Sequence, residues 1–321
     1  MGLNEDRIKA INFDCPEFIP VSAYFLPAAW MKYREALDEI IERHPFLFGE
    51  KDENRDYDAV GGTYTEGEHI DAWGCVWSNL QTGMESIVTG HPVPTREAVH
   101  SLQQPVADIG FPHGFMFLRL TDLRGFEEAM IDFAEEPPEL QMLIDTVLQY
   151  NLRQTQLRLA SLKQSDDILY FGDDLGMQTS LPMSPKKWRK YLKPCYQQIY
   201  KPFIEAGHYV YMHTDGHILE IIPDLIEIGV KIINPQSRAN GITELAQVCK
   251  GKVCVDLDLD RQLFPFATPK ELDAHIREAV EKLGSREGGL WLKAEMNYEV
   301  PLENIEAVCT ALEKYASYYA Q

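Results

Sequence analysis

The sequence is poor in basic residues. Its 321 residues include 30 Lys and Arg but 50 Asp and Glu, which gives a formal net charge of -20 at pH 7. Such an excess of negative charge repels phosphate backbones and anionic lipid headgroups. We therefore expect no nucleic acid and no membrane surface among the partners, although a locally positive site can still bind an anion.

Cysteine and long apolar segments are also scarce. The six cysteines are dispersed and form no CxxC pair, which argues against a disulfide framework and favours a reduced, cytoplasmic protein. No apolar run reaches about 18 residues, and the first segment, MGLNEDRIKAINFDC, lacks the basic and apolar regions of a secretion signal. The sequence thus predicts neither secretion nor a membrane span.

The central stretch, residues 208–236, predicts a β-α-β unit. A segment rich in β-branched and aromatic residues at 209–212 indicates a buried strand, and a second apolar strand is expected at 230–233. Between them lies an amphipathic helix, which we expect Pro223 to kink and Gly229 to end. Polar residues follow both strands. Because α/β barrels carry their chemistry at the carboxyl ends of the strands, these residues are the first candidates for a functional site.

Strand and helix patterns alternate through the rest of the chain. Further strands are predicted at 19–25, 115–120, 168–171, 253–255 and 289–292. Helices are predicted at 28–43, at 124–164 with a break near Pro137 and Pro138, and at 185–206, 268–284 and 301–320. This alternation indicates an α/β fold, and a (β/α)8 TIM barrel of this length can be a single domain. Residues 45–105 have no regular pattern and are predicted to form an irregular lid or insertion over the barrel mouth.

Four segments resemble the uroporphyrinogen decarboxylase superfamily. They are FGDDLGMQTSLPMSPKKWRKYLKP, MHTDGHILEIIPDLIEIGVKIINPQ, LFPFATPKELDAHI and VPLENIEA. The resemblance covers residues 110–320 and, more loosely, the first hundred residues. It implies one (β/α)8 barrel domain over residues 1–321, in a superfamily that includes the haem-pathway decarboxylase and cobalamin-linked methyltransferases.

The resemblance is closer to the methyltransferase branch than to the decarboxylase. The decarboxylase carries an RxxGR-like segment near its N-terminus, whereas the corresponding region here is VSAYFLPAAWMKYREAL. Thiol methyltransferases of the family hold zinc with a His-x-Cys motif and a later Cys. Here Asp215 follows His213 at the first Cys position, and Glu295 stands near the second. Oxygen ligands would leave zinc more Lewis-acidic, which suits an ether oxygen better than a thiol.

The resemblance therefore implies a methyltransferase that takes a methyl group from an O-methyl donor, such as a methoxylated aromatic. The acceptor would be the cobalt of a corrinoid (cobalamin) carried by a partner protein. His213, Asp215 and Glu295 are the expected ligands of a zinc ion, and His213, Asp215 and Asp174 the expected catalytic residues. The expected substrate-binding residues are Asp71, Trp73, Phe117, Asp173, Gln178, Gln236 and Arg261.

Each assignment has a structural alternative. Asp215 can cap a helix, and His213 can be a hydrogen-bonded core residue. Asp173 and Asp174 are adjacent, so an extended backbone would let only one of them enter the site. The alternation Asp256, Asp258 and Asp260 followed by Arg261 fits an ion-pair cluster as well as a ligand set. His69 and His113 are additional candidate ligands.

Two other functions stay open at this point. A carboxy-lyase acting on a smaller acid would need an arginine-rich pocket, for which Arg119, Arg238 and Arg261 are the candidates. A barrel that binds a ligand without catalysis is the third class, but ionisable residues at five predicted strand ends argue against it. The sequence is also compatible with a homodimer.

Overall fold

The computed structural model describes residues 2–163 and 167–320, with side chains described from residue 5 onward. Within these ranges the chain forms two compact units. The first unit contains residues up to 67, residues 79–86 and residues from 234 onward. The second unit contains residues 68–78 and 87–233.

The described residues contain nine strands. They are β1 (Val21–Phe25), β2 (Gly67–Ile70), β3 (Val76–Asn79), β4 (Ile87–Gly90), β5 (Ile168–Gly172), β6 (Tyr209–Thr214), β7 (Val230–Pro235), β8 (Cys254–Asp258) and β9 (Leu290–Met296). Six of them form a sheet in the order β1-β9-β8-β7-β6-β5, and β1/β9, β8/β9 and β5/β6 pair in parallel. The other three form a small sheet in the order β2-β3-β4.

Helices alternate with the strands of the large sheet. The first half of the chain contains α1 (Gly2–Asn12), α2 (Pro27–Tyr33), α3 (Glu35–Arg43), α4 (Pro45–Phe48), α5 (Phe117–Arg124), α6 (Phe126–Glu135) and α7 (Pro138–Ser161). The second half contains α8 (Pro185–Tyr191), α9 (Lys193–Glu205), α10 (Ile222–Glu227), α11 (Ser237–Asn240), α12 (Ile242–Cys249), α13 (Pro269–Leu283) and α14 (Leu302–Ala316). Short 3₁₀ helices lie at Gly62–Tyr64 and Arg96–Ser101.

The predicted α/β class is confirmed, with a parallel sheet of six strands where the predicted barrel has eight. The β-α-β unit is also confirmed, because β6 and β7 lie where the two strands were expected. Residues 45–105 hold α4, the small sheet and both 3₁₀ helices, and their place over a barrel mouth stays a prediction. No helix in the described ranges is long and apolar enough to cross a membrane.

The predicted strand at 115–120 is wrong, because this segment begins α5. The buried carboxylate of Asp173 accepts the backbone N–H groups of Met116, Phe117 and Leu118, at 3.0, 2.5 and 2.8 Å. These are donors that a helix leaves unsatisfied in its first turn, and a negative charge there also suits the helix dipole. A side chain more than fifty positions away in sequence thus fixes the helix where the local apolar pattern indicates a strand.

Several predicted helix boundaries also change. The helix predicted at 28–43 is two helices, since Arg34 between them has φ 47° and its guanidinium is paired with Asp58 at 2.9 Å. Pro223 does not kink a helix but lies in the first turn of α10, where its missing N–H costs no hydrogen bond. The break at Pro137 and Pro138 is confirmed, whereas the predicted helix end at 164 lies outside the described residues.

The two faces of β5 and β6 differ in character. Leu169 and Phe171 are buried, and the Phe171 ring packs against those of Tyr200 and Phe203 on α9. Side chains alternate along a strand, so Tyr170 and Gly172 lie on the other face. In the parallel register Tyr170 pairs with Tyr211, and Gly172 pairs with His213. This second face carries His213, which belongs to the candidate site.

Candidate functional site at the ends of β5 and β6

Three side chains of the second unit meet where β5 and β6 end. Asp174 follows β5 by two residues, His213 lies near the end of β6, and His113 precedes α5. One ligand atom from each lies within 4.8 Å of the others. His113 Nε2 is 3.2 Å from Asp174 Oδ2, and the two imidazole centroids are 5.4 Å apart. We call these three residues the His-Asp-His cluster.

The backbone holds His113 against β5. The N–H of Gly114 donates to the carbonyl of Gly172 at 2.8 Å. A Cβ atom added to Gly172 would lie 2.5 Å from His113 Nδ1. Glycine at this position therefore leaves the space that the imidazole occupies.

Asp215 lies beside the cluster. Its N–H donates to Asp174 Oδ1 at 3.0 Å, and its Oδ1 is 3.4 Å from His213 Nε2. The chain turns sharply after this point. A Cβ on Gly216 would be 2.2 Å from the carbonyl carbon of Gly176, and Gly216 has φ 83°, so glycine is required where the two loops cross. Asp215 thus supports Asp174 through its backbone and faces His213 with its side chain.

The cluster shifts the pKa values of two of its members in opposite directions. Burial acts to lower the pKa of His113, but the hydrogen bond and negative charge of Asp174, with the charges of Asp173 and Asp215, outweigh it and raise the pKa. Burial acts to raise the pKa of Asp174, but the hydrogen bond and charge of His113 and the N–H of Asp215 lower it overall. Both shifts favour the imidazolium form of His113 and the carboxylate form of Asp174.

The donor set of the cluster fits zinc. Two imidazole nitrogens and one carboxylate oxygen are a known catalytic zinc set, which leaves the fourth position open for a reactant. Ligand atoms bound at about 2.1 Å around a tetrahedral ion are roughly 3.4 Å apart. The three donor atoms of the cluster lie within 4.8 Å of one another, so side-chain movements of about 1 Å would bring them to that spacing. Binding would displace the proton that His113 and Asp174 share.

The structure brings together the three residues predicted to be catalytic, namely Asp174, His213 and Asp215. It adds His113 as a close neighbour, which sequence reasoning gave only as an additional ligand. The strand predicted at 115–120 would place His113 at the amino end of that strand. It would therefore lie away from the carboxyl ends of the strands, where the site was expected. The pairing of Gly114 with Gly172 depends on the tertiary fold and has no clear sequence signal.

Glu295, the third predicted zinc ligand, belongs to the first unit and lies within β9. Its carboxylate faces cations, with Arg261 Nη1 at 2.5 Å and Lys293 Nζ at 3.8 Å. Arg261 also pairs with the buried Asp258 at 2.7 Å. Arg261 therefore compensates the negative charge of Asp258, which belongs to the acidic series Asp256, Asp258 and Asp260. This contact lies within the first unit and agrees with the ion-pair alternative.

Four of the predicted substrate-binding residues make internal contacts in the second unit. Asp71 accepts hydrogen bonds from the backbone of Trp73 and Cys75, from Trp77 Nε1 and from Arg119 Nη1, which lies at 2.6 Å. Burial acts to raise the pKa of Asp71, but the Trp77 and Arg119 contacts lower it overall. The carboxylate thus closes a turn and ties it to α5.

The other three are buried. Trp73 packs edge-on against Tyr150, with ring centroids 4.9 Å apart. Phe117 has almost no exposed surface, and Asp173 has none. Besides its backbone contacts, Asp173 accepts a hydrogen bond from the Tyr196 hydroxyl at 2.7 Å. Burial raises the pKa of Asp173, with these donors acting against the rise. The adjacent carboxylates of Asp173 and Asp174 thus have different surroundings, one in the core and one in the cluster.

Gln178 and Gln236 lie in different units. Gln178 is exposed in the loop that follows the cluster. Gln236 belongs to the first unit and forms a parallel bridge with Asp258. Their substrate contacts stay a prediction.

The arginines that a carboxy-lyase would use already have acidic partners. Arg119 pairs with Asp71, Arg238 pairs with Asp260 at 2.8 Å, and Arg261 pairs with Asp258 and Glu295. Arg119 is also largely buried. These contacts weigh against an arginine pocket for the carboxylates of a substrate.

Comparison with known proteins decides the family. Residues 97–315 match the model of the family "Uroporphyrinogen decarboxylase (URO-D)". The chain belongs to the URO-D family. The resemblance found in the four sequence segments is thereby confirmed, and most of the URO-D match spans the second unit, including the His-Asp-His cluster.

Solved structures extend the likeness beyond the URO-D match. A methyltransferase from Methanosarcina mazei is 17% identical, covers 98% of this chain and 99% of its own, and has a TM-score of 0.64. A B12-independent methionine synthase from Shewanella sp. W3-18-1, in complex with selenomethionine, is 12% identical, with coverage of 72% and 68% and a TM-score of 0.41. The first likeness shows a shared fold, and the second is too weak to support an argument. No curated protein matches the chain.

Proposed function

We propose that this URO-D family protein is a methyltransferase that moves a methyl group from an O-methyl donor to the cobalt of a corrinoid held by a partner protein. The observation that carries the proposal is the His-Asp-His cluster at the ends of β5 and β6. The likeness in fold to a methyltransferase supports the same reaction class. The corrinoid would supply a strongly nucleophilic cobalt(I), so the chain itself needs no nucleophilic side chain.

The difficult step is the departure of the oxygen. When the methyl carbon–oxygen bond breaks, its electron pair stays on the oxygen, and the new bond to the methyl carbon uses the electron pair of the acceptor. An alkoxide or phenoxide leaves poorly unless a proton or positive charge stabilises it. A site for this reaction must therefore present an acid or a cation to the ether oxygen.

The cluster can supply either form of stabilisation but not both at once, because zinc binding would displace the proton that His113 and Asp174 share. Without zinc, the raised pKa of His113 favours a proton beside Asp174, which the departing oxygen can take up. Asp174 orients the imidazole, and the N–H of Asp215 orients Asp174. His113, Asp174 and His213 would also hold a zinc ion, which would polarise the leaving oxygen as a Lewis acid. Asp215 would then remain beside His213 and influence its orientation.

Metal analysis of the purified protein tests the cluster. We expect near-stoichiometric zinc by inductively coupled plasma mass spectrometry, and its loss in His113→Ala, Asp174→Asn and His213→Ala. His69→Ala is the matched control, because His69 is exposed on β2 and its ring stacks on Trp77. The control should keep its zinc.

The reaction is tested by adding cob(I)alamin and a methoxylated aromatic and following the cobalt absorbance. We expect methylation of the cobalt with the unmodified protein and a fall of at least a hundredfold in each cluster variant, the usual size of a lost acid or charge-stabilising group. A protein without metal whose cluster variants still transfer methyl at the full rate would refute the proposed role of the cluster.

A further inference from the structure

The second unit contains a cavity of about 360 Å³ that is separate from the His-Asp-His cluster. It is lined by residues 109–111, by Arg158 in the last turn of α7 and by residues 168–171 of β5. No member of the cluster belongs to this described lining. The volume is in the range of sites for small organic molecules, so the cavity is a second candidate site.

Arg158 supplies the only charged side chain of the described lining. The residue is half-buried, and within residues 2–163 and 167–320 no hydrogen bond or ion pair engages its guanidinium. Most other described arginines lie in ion pairs, such as Arg124 with Asp132 at 2.8 Å. A guanidinium has several N–H donors in a fixed planar arrangement and no acceptor. In a chain with 50 acidic residues, an arginine without an internal acidic partner is available to an anionic ligand.

The wall opposite α7 is held in place by its own hydrogen bonds. Gln154, which is buried on α7, accepts the N–H of Asp108 at 2.5 Å and donates to the carbonyl of Gly110. The N–H of Gly110 in turn donates to Asp108 Oδ1 at 2.7 Å. Arg158 follows Gln154 by four positions and therefore lies on the same face of the helix. The helix face that fixes this segment thus also carries the unpaired guanidinium.

The remaining walls are mainly apolar. The ring of Phe111 packs edge-on against that of Phe171 on β5 and that of Phe203 on α9, with centroids 5.1 and 6.2 Å apart. Ile109 and Ile168 add aliphatic surface, and Ile109 is 52% exposed. Covering such surface with the apolar part of a ligand favours binding, because it removes apolar area from water.

We propose that this cavity binds a small organic monocarboxylate, with the carboxylate on Arg158 and the apolar part on the walls. Arginine and carboxylate can form two parallel hydrogen bonds. One guanidinium balances one negative charge, whereas a phosphate monoester would bring a second charge into a chain of net charge -20. The proposed methyl transfer is not needed for this inference, since the two sites share no residue of the described lining.

Isothermal titration calorimetry with hexanoate tests the site. We expect hexanoate to bind at least about tenfold more tightly than hexan-1-ol or hexylammonium, because only hexanoate carries the matching charge. Arg158→Gln should weaken hexanoate at least about tenfold and leave hexan-1-ol unchanged. Arg153→Gln is the matched control, because Arg153 is an exposed arginine of the same helix that bonds to Gln104, and it should bind hexanoate normally.

Arg158→Lys separates ligand binding from a role in helix stability. A cation in the last turn of a helix suits the helix dipole, and lysine keeps that effect but lacks the planar donor pair. We therefore expect Arg158→Lys to keep the unfolding midpoint of the unmodified protein and to bind hexanoate more weakly. Hexanoate affinity that is equal in Arg158→Lys and the unmodified protein would contradict recognition by a guanidinium.

His213→Ala shows which site holds the ligand. A carboxylate could also bind a metal ion at the His-Asp-His cluster, and loss of hexanoate binding in His213→Ala would place it there and overturn the proposal. We expect this variant to bind hexanoate as tightly as the unmodified protein. Absence of hexanoate binding, unchanged binding in Arg158→Gln, or equal binding of hexan-1-ol would each refute a carboxylate site at Arg158.

Discussion

Replacing Asp173 by Asn tests whether this residue supports the fold or contacts the substrate. The substitution keeps the shape of the side chain but removes its charge and one acceptor oxygen. In the structure Oδ2 accepts hydrogen bonds from Met116 N, Phe117 N and the Tyr196 hydroxyl, and Oδ1 accepts one from Leu118 N. The best orientation of an Asn amide would leave its NH₂ group facing the N–H of Leu118.

The expected cost follows from these contacts. One hydrogen bond to a charged group is lost, worth about 1.5–3 kcal/mol, and a buried donor is left without an acceptor, at about 1–3 kcal/mol. Removal of a buried charge offsets part of this loss, because burial already raises the pKa of Asp173. We expect Asp173→Asn to lower the free energy of unfolding by about 3 kcal/mol at pH 7.

Thermal unfolding followed by circular dichroism measures this change. At about 2.1 cal/mol/K per residue, 321 residues unfold with an entropy of roughly 0.7 kcal/mol/K, so the midpoint should fall by about 4 °C. Asp145→Asn is the control, because Asp145 is exposed on α7 and accepts a hydrogen bond from Gln141 Nε2 at 2.8 Å. A midpoint shift under 1 °C in Asp173→Asn, together with weaker substrate binding, would show that the structural interpretation is wrong.

Three further predictions concern other parts of the structure. Burial raises the pKa of Asp122 to about 6, above that of an unfolded Asp, so the folded protein holds this proton and its stability should fall as the pH rises from about 4 to 6. Asp122→Asn should remove that dependence in unfolding measured against pH, and should be more stable at pH 7 by up to about 3 kcal/mol. Gly172→Ala should displace His113 and reduce zinc content, measured by mass spectrometry, with little change in the unfolding midpoint. Arg261→Gln should destabilise the protein by about 3 kcal/mol in thermal unfolding, because the buried Asp258 loses its compensating charge.

Matched controls accompany the last two substitutions. Gly61→Ala adds a methyl group where no atom lies within 4 Å, so zinc content and stability should not change. Arg277→Gln removes an exposed arginine whose nearest acidic atom is 3.9 Å away, and should cost under about 0.5 kcal/mol. Full zinc in Gly172→Ala, an Asp122→Asn variant less stable than its parent at pH 7, or normal stability in Arg261→Gln would each contradict its prediction.

Local signals in the sequence determined much of the fold. The capping box from Thr268 to Glu271 and the proline that begins α13 place that helix correctly, since both interactions lie within four residues. The apolar strands at the centre of the chain place β6 and β7, because their β-branched and aromatic residues favour extended backbone next to a core. The four family-like segments also indicate the URO-D family from the sequence alone, and the family match confirms it.

Only the tertiary structure decided where the candidate site lies. The start of α5 depends on Asp173, which is distant in sequence, and this helix start brings His113 to Gly172. Local propensity cannot show such a contact. The partners of Glu295 are likewise fixed by folding, because Arg261 lies 34 positions away, in the turn that follows β8, and meets Glu295 on β9 only in the folded chain.

The environment of Tyr170 on β5 depends on both the local pattern and the tertiary packing. The sequence determined that Tyr170 lies in a strand next to residues that face the core, since strand alternation is a local rule. Which face is covered depends on how strands and helices pack, and the sequence pattern of a parallel strand is apolar on both faces. The sequence therefore determined the order of strands, helices and polar strand ends, and tertiary packing alone decided which side chains are buried and which are paired.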